Sequence, residues 1–335
     1  MVELIPLVDV LAEKKGRWKE AHLILFEYCN LRCSFCHQDH DSKVGMDSVM
    51  EKVETLIANT DPNDQYVLNL TGGELFLDEI PDSMFLTYFK AGRRLLQHFK
   101  KSKLVFGTNL VYHKLARVTA LVERLQAFGD VTLATSYDPA GRFNPEDRRL
   151  FFKNLALARR WVHTVNVVIT KQNIQTFLDG KEGIEFEAMV RDHSVYFDHY
   201  IPSNMYSYIQ PDEDLISRLY ILLNAKYPDS YPIKDWKKNA FNDTTCRSTK
   251  IVNKDGVVTT CWSEAGKDSI LDEKEGLLAK QRAEEAFIER YGCLTCDYYQ
   301  RCGMRCFLHH SFIEGVDSIC QIKLMYQAIL PPEEA

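Results

Sequence analysis

Residues 22 to 201 alternate between two hydrophobic patterns, and this alternation limits the folds that are open to the chain. Short apolar runs typical of buried strands recur, and stretches with apolar residues every three to four positions separate them. The predicted strands lie at 22–28, 66–70, 103–108, 131–136, 165–170 and 196–201. The predicted helices between them lie at 46–60, 82–99, 114–128, 146–162 and 184–192. Strands that alternate with helices form parallel βαβ units with right-handed crossovers.

Six strands over this length are too few for a closed barrel, because an eight-stranded (β/α) barrel typically needs about 250 residues. The pattern therefore predicts an α/β fold with an open partial (β/α)6 barrel of the TIM type; a doubly wound sheet is the alternative. In both folds ligands bind at the carboxyl ends of the strands. The loops after residues 28, 70, 108, 136, 170 and 201 are therefore expected to lie together on one face.

The chain has 335 residues and ten cysteines, which fall into two groups. Cys29, Cys33 and Cys36 follow the first predicted strand, and the other seven lie between Cys246 and Cys320. The N-terminal sequence has no basic region followed by an apolar core, so no signal peptide is predicted and we expect a cytoplasmic protein. Because structural disulfides are rare in a reducing compartment, cysteines at this density indicate metal ligation.

Composition disfavours two kinds of partner. The content is 45% hydrophobic and 26% charged, as in ordinary globular proteins, and the net charge is −6. A mildly acidic chain is not typical of proteins that coat duplex DNA, so a nucleic-acid partner is disfavoured. No apolar run approaches the roughly 20 residues that cross a bilayer, so no membrane partner is predicted.

The first cysteine group forms a Cys-x3-Cys-x2-Cys run, Cys29 to Cys36, at the carboxyl end of a predicted strand. Three thiolates in such a loop can hold three irons of a 4Fe–4S cluster and leave the fourth iron open for a ligand. Zinc is the alternative, and His37 would then complete its tetrahedron. The spacing favours iron–sulfur over zinc.

This run, with an aromatic residue, Phe35, just before its last cysteine, resembles the signature of the radical S-adenosylmethionine enzymes. The resemblance implies that a cluster on Cys29, Cys33 and Cys36 cleaves S-adenosylmethionine to a 5′-deoxyadenosyl radical, which takes a hydrogen atom from a substrate. The residue that acts on the substrate radical afterwards, whether a proton donor or a hydrogen-atom donor, stays unassigned.

The resemblance extends to the residues that would bind S-adenosylmethionine. Thr71-Gly72-Gly73-Glu74 follows the second strand and resembles the family's GGE motif, which implies that its backbone and carboxylate take the methionine amino group. Arg142 is implied to pair with the methionine carboxylate. The complete set of implied contacts is Phe35, Gly72, Gly73, Glu74, Ser136 and Arg142. Val167 is interpreted as a core residue.

The second cysteine group resembles the seven-cysteine SPASM extension of the same enzymes, which implies two auxiliary 4Fe–4S clusters and three clusters in all. The implied ligand sets are interleaved: Cys246, Cys261 and Cys306 bind one cluster, and Cys293, Cys296, Cys302 and Cys320 bind the other. The fourth iron of the cluster on Cys246, Cys261 and Cys306 either has no protein ligand or is bound by another residue, such as Asp243, His309 or His310. A zinc-stabilised subdomain is the alternative, although seven cysteines divide badly into sets of four.

The sequence divides into five predicted segments. They are an N-terminal extension (1–20), the partial barrel (21–210), a bridging helix with a linker (211–245), a small cysteine-rich iron–sulfur domain (246–320) and a tail (321–335).

The preferred substrate is a peptide or protein, modified by crosslinking, oxidation or epimerisation. A small molecule such as a sugar or nucleoside intermediate is the alternative, and a nucleic-acid base is disfavoured by the acidic charge. A flavodoxin- or ferredoxin-type protein is the implied electron donor. Only 28 residues precede Cys29, too few for the fused domain with which many peptide-modifying relatives hold a leader; this counts against a peptide substrate, although a separate protein could bind the leader. An electron-transfer ferredoxin would need neither the GGE motif nor the barrel.

Overall fold

The computed structural model describes residues 18–36, 38–41, 48–199, 211–231, 233–237, 249–259, 282, 285–286, 288–298 and 321–330. Its centre is one sheet, whose strands are β1 (Lys19–Ile24), β2 (Tyr66–Thr71), β3 (Ser102–Thr108), β4 (Asp130–Ser136), β5 (Val162–Ile169), β6 (Ser194–His199), β7 (Thr249–Val252) and β8 (Val258–Thr259). The strand order is β6-β5-β4-β3-β2-β1-β7-β8. Strands β1 to β6 are parallel neighbours, and among the described residues β1 and β6 do not pair. The predicted open partial barrel is confirmed.

Helices separate strands β1 to β6 along the chain, and further helices follow β6 and β8. They are α1 (Val49–Ala58), α2 (Asp82–His98), α3 (Leu115–Gln126), α4 (Pro145–Leu157), α5 (Lys171–Leu178), α6 (Ile184–Asp192), α7 (Glu213–Lys226), α8 (Ile233–Lys237) and α9 (Gln321–Ile329). Local sequence fixes several of their ends. Asn144 caps α4 by accepting hydrogen bonds from the N–H groups of Glu146 and Asp147, and Pro145 occupies the first turn. None of the helices in the described ranges is both long enough and apolar enough to cross a membrane.

Alternation along β2 separates the core from the interior of the barrel. Tyr66, Leu68 and Leu70 are buried among the helices, where the rings of Tyr66 and Phe99 lie 5.0 Å apart. Asn69 lies between Leu68 and Leu70, so its side chain points to the opposite side of the sheet, toward the interior of the open barrel. Val167 of β5 is buried in the core, as interpreted. Along β2 the interior side is thus less buried than the side that packs on the helices.

The boundaries of β1 differ from the prediction, which placed the strand at 22–28. The observed strand, Lys19–Ile24, ends early because the chain turns from the sheet toward the β2 loop: Leu25 N–H donates to Thr71 O at 2.9 Å, and Phe26 O accepts from Gly73 N–H at 2.9 Å. Helix α5 was not predicted. Its eight residues are too few for a clear period, and its sequence signal is the cap Thr170, which accepts from Asn173 N–H.

The segment predicted as a linker, 230–245, contains ordered structure in its described part. Tyr231 forms a parallel bridge with Tyr196 of β6, with their rings stacked 4.3 Å apart, and α8 follows it. At the other edge of the sheet, β7 pairs in parallel with β1. The described start of the cysteine-rich segment therefore extends the barrel sheet. In the same segment Lys254 forms an ion pair at 3.0 Å with Glu27, which lies two residues before Cys29 in the sequence.

Candidate functional site

The loop after β1 carries Cys29, Cys33 and Cys36 at the carboxyl edge of the sheet, where sequence analysis placed a site. Cys29 is buried, and Cys33 and Cys36 are half-buried; all three are free thiols. A tight turn holds the last two, because Cys36 N–H donates to Cys33 O at 3.1 Å. Ser34 N–H donates to Gly141 O at 2.8 Å, which fastens this loop to the loop after β4.

The chemistry of these three thiols bears on which metal group they could hold. Burial raises the pKa of Cys29 to about 12 and also raises the pKa values of Cys33 and Cys36, so that a bound metal must supply the charge that holds thiolates here. Among the described residues, no group of three Cys, His, Asp or Glu side chains is arranged to bind one metal ion. His37, the predicted fourth zinc ligand, lies outside the described residues. A cluster whose separate irons each take one thiolate fits this set better than a single zinc ion.

Gly72 and Gly73 allow the β2 loop to lie directly against the β1 loop. A Cβ atom on Gly73 would lie 2.0 Å from Tyr28 O and 2.3 Å from Glu27 O. Glu74 N–H donates to Tyr28 O at 2.8 Å in the same contact. Glycine therefore permits a close approach between the β2 loop and the β1 loop at Tyr28, the residue before Cys29. The predicted backbone contact of Gly72 and Gly73 with a ligand stays a prediction.

We expect Gly73→Ala to destabilise the protein and to lower its iron content after reconstitution. The added methyl group meets carbonyl oxygens of the backbone, and overpacking of this kind costs typically about 1–3 kcal/mol. The displaced segment leads directly into Cys29. Anaerobic thermal unfolding and iron analysis measure both effects.

Gly107→Ala is the matched control for this substitution. Its Cβ atom would meet the Thr71 side-chain methyl at 3.1 Å, a group that can shift, and we expect a smaller loss of stability and unchanged iron. Equal behaviour of the two variants would contradict the importance of the contact between the β1 and β2 loops.

Glu74 lies fully buried behind the glycines. Its carboxylate accepts hydrogen bonds from Phe76 N–H at 3.0 Å, from the Thr108 hydroxyl at 3.1 Å and from Asn109 N–H. Burial raises the pKa of Glu74 to about 7, and these hydrogen bonds act in the opposite direction. Glu74 therefore ties the β2 loop to the β3 loop. Its predicted contact with a methionine amino group stays a prediction.

Arg142 projects from the loop after β4 toward the cysteines. Its Nε donates to an Asp138 carboxylate oxygen at 2.6 Å; the Asp138 side chain is fully buried and that of Arg142 is 11% exposed. The guanidinium carbon lies 5.2 Å from the centre of the Phe35 ring. Burial is the main cause that raises the pKa of Cys33, and the Arg142 charge partly opposes it. Among the described residues the terminal N–H groups of Arg142 have no hydrogen-bond partner, so that they are available to a carboxylate.

Phe35 and Ser136 complete the predicted contacts. Phe35 is 8% exposed and packs against Cys33 and Val168. Ser136 ends β4 and pairs in register with Asn166, and its hydroxyl has no partner among the described residues. The loops after β1 and β4 thus bring Cys33, Phe35 and Arg142 together.

Sequence reasoning missed three polar residues near this group. Asp138 orients Arg142 and also accepts from Val168 N–H and from the Asn173 amide. Asn109 donates to the Cys29 sulfur. Asp198 of β6 pairs in register with Val168.

The cysteines of the second group lie mostly outside the described residues: Cys246, Cys261, Cys302, Cys306 and Cys320. Cys293 and Cys296 are half-buried and border a single 3₁₀ turn, in which Cys296 N–H donates to Cys293 O at 2.9 Å. Beyond them, Tyr298 stacks on Tyr326 of α9 with the ring centres 5.7 Å apart. The two auxiliary ligand sets stay predictions.

Comparison with known proteins gives structural neighbours only. No family model matches the sequence, and neither does any curated protein. The structure "Native anSMEcpe with bound AdoMet and Cp18Cys peptide" is 15% identical, with 93% of this chain and 95% of that chain covered and a TM-score of 0.60. Streptococcus suis SuiB bound to S-adenosylmethionine is 16% identical, with 91% and 77% covered and a TM-score of 0.51.

A further structure, S. suis SuiB bound to the precursor peptide SuiA, is 15% identical, with 91% of this chain and 76% of that chain covered and a TM-score of 0.53. At these identities the matches show a shared fold. The resemblance predicted from the cysteine and glycine motifs is therefore confirmed at the level of the fold, over most of the chain.

Proposed function

We infer that this chain is a radical S-adenosylmethionine enzyme that modifies a peptide or protein substrate. The observation that carries the inference is the group formed by the three-cysteine loop, Phe35 and Arg142 at the carboxyl edge of an open six-strand sheet. A fold shared with structures that bind S-adenosylmethionine supports it.

Cys29, Cys33 and Cys36 would hold a 4Fe–4S cluster. When bound, the cluster and S-adenosylmethionine supply a 5′-deoxyadenosyl radical that abstracts a hydrogen atom from the substrate. The Asp138–Arg142 pair fixes the guanidinium beside the cysteines and aims its unpaired N–H groups at the methionine carboxylate. Phe35 supplies an apolar surface, and the Ser136 hydroxyl supplies a polar one. This arrangement would bind and orient the cofactor.

The seven-cysteine extension would hold two auxiliary clusters, one on Cys246, Cys261 and Cys306 and the other on Cys293, Cys296, Cys302 and Cys320. The support is their spacing in the sequence. A flavodoxin- or ferredoxin-type protein would deliver the electron, and a separate protein could bind a leader peptide.

A peptide substrate is favoured over a small molecule for two reasons. The sheet does not close between β1 and β6 in the described residues, so its interior is open to a polymer segment. The structures that resemble this chain include one with a Cp18Cys peptide and one with the precursor peptide SuiA. Mass spectrometry of the modified peptide distinguishes crosslinking, oxidation and epimerisation.

Transfer of deuterium into 5′-deoxyadenosine tests the mechanism and the substrate class together. We expect reconstituted, reduced enzyme to acquire label from a deuterated peptide, because the radical takes the hydrogen from substrate carbon. The comparison arm uses deuterated sugar and nucleoside intermediates, and mass spectrometry of 5′-deoxyadenosine is the readout. Label from a small molecule alone would overturn the peptide assignment, and absence of any 5′-deoxyadenosine would overturn the enzyme class.

A further inference from the structure

The loop after β3 presents an amide to the first cysteine of the site. Asn109 is 6% exposed, and its side-chain nitrogen lies 3.7 Å from Cys29 Sγ and 2.8 Å from Asn30 Oδ1. The two N–H bonds of one amide group can serve these two acceptors at once. Asn30 returns the contact by donating to Val111 O at 2.7 Å. Cys29 and Asn30 are thereby clamped to a loop 80 residues away in sequence.

The orientation of Asn109 is fixed from several sides. Its own side-chain oxygen accepts from Val111 N–H at 2.8 Å, which forms an Asx turn, and its backbone N–H donates to Glu74. Leu110, the next residue, is the one non-glycine residue with positive φ, +58°, in the described part of the chain. Its carbonyl accepts from the Asn154 amide at 2.9 Å, and its side chain is fully buried.

A left-handed leucine is unfavourable and persists only where its surroundings dictate it. Here Glu74, Asn154 and the core packing of Leu110 together dictate it, and the result is a side-chain amide aimed at Cys29.

We propose that Asn109 is a positioning residue that donates a hydrogen bond to the Cys29 thiolate and thereby raises the reduction potential of the cluster held by Cys29, Cys33 and Cys36. The proposal rests on the proposed function. Reduction adds negative charge that is shared with the cysteine sulfurs, and a fixed N–H donor stabilises the reduced form more than the oxidised form. Leu31 N–H, at 3.4 Å from the same sulfur, acts in the same direction but belongs to the backbone.

The test is an anaerobic redox titration followed by electron paramagnetic resonance. The signal that disappears in Cys29→Ala identifies the cluster concerned. Asn109→Ser keeps a side-chain oxygen for the turn but loses the reach to Cys29, and Asn109→Ala removes both. We expect each to favour the oxidised cluster about tenfold, a fall in midpoint potential of about 59 mV for one electron.

Asn154→Ala is the matched control, because it removes a buried amide that supports the same loop without touching Cys29. We expect it to lower thermal stability and leave the potential unchanged. An unchanged potential in Asn109→Ser, or an equal shift in Asn154→Ala, would overturn the proposal. Wild-type protein that takes up no cluster would instead overturn the proposed function.

Discussion

Replacing Cys29, Cys33 and Cys36 together with alanine is expected to abolish 5′-deoxyadenosine formation and to remove about a third of the iron from the reconstituted protein. Three cubic clusters imply about twelve irons per chain, and these thiols would hold one of the three clusters. The loop lies at the carboxyl edge of the sheet, beside Arg142 and Phe35. Iron and sulfide analysis, with chromatography of the nucleoside product, measures the result.

The matched control is the pair Cys293→Ala and Cys296→Ala, which belongs to one of the predicted auxiliary sets. It is expected to lose a similar share of iron and to retain cleavage of S-adenosylmethionine. Stoichiometric zinc with about four irons would contradict the two auxiliary clusters and leave the first cluster in place. Retained cleavage in the triple variant would contradict the assignment of the cluster to Cys29, Cys33 and Cys36.

The barrel was predictable because its signals are local. Each predicted strand and helix carries its own hydrophobic period, and the helix expected at 184–192 is observed as Ile184–Asp192, whereas α5 is too short to show one. The turn motif after β2 was equally visible, since two consecutive glycines mark a close approach of backbones. The sequence did not show which backbone these glycines approach. That backbone is Tyr28 in the loop after β1, whose carbonyl oxygen lies 2.0 Å from the position of a Cβ atom on Gly73.

The polar supports of the site could not be predicted, because they are contacts between distant segments. Asn109 reaches Cys29 across 80 residues, and no periodicity marks a residue whose partner lies in another loop. Asp138 stands four residues before Arg142, a spacing that sequence alone can propose. Its burial and its bonds to Val168 and Asn173 depend on how β4 and β5 pack.

Arg142→Ala is expected to destabilise the protein by about 3–5 kcal/mol, the usual cost of removing one partner from a buried ion pair. Asp138 is fully buried, and without the guanidinium the remaining donors to it among the described residues are Val168 N–H and the Asn173 amide. Anaerobic thermal unfolding measures this loss. Adding Asp138→Asn to Arg142→Ala is expected to restore part of the stability, because no uncompensated charge then remains.

Arg142→Lys separates the ion pair from cofactor binding. Lysine keeps a positive charge for Asp138 but lacks the planar fork that matches a carboxylate. We expect most of the stability to remain, while affinity for S-adenosylmethionine falls by about 1.5–3 kcal/mol, a tenfold or larger change in Kd. Equilibrium binding to the reconstituted enzyme measures it. Wild-type affinity in Arg142→Lys would mean that Arg142 only holds Asp138, and the methionine carboxylate would then need a different partner.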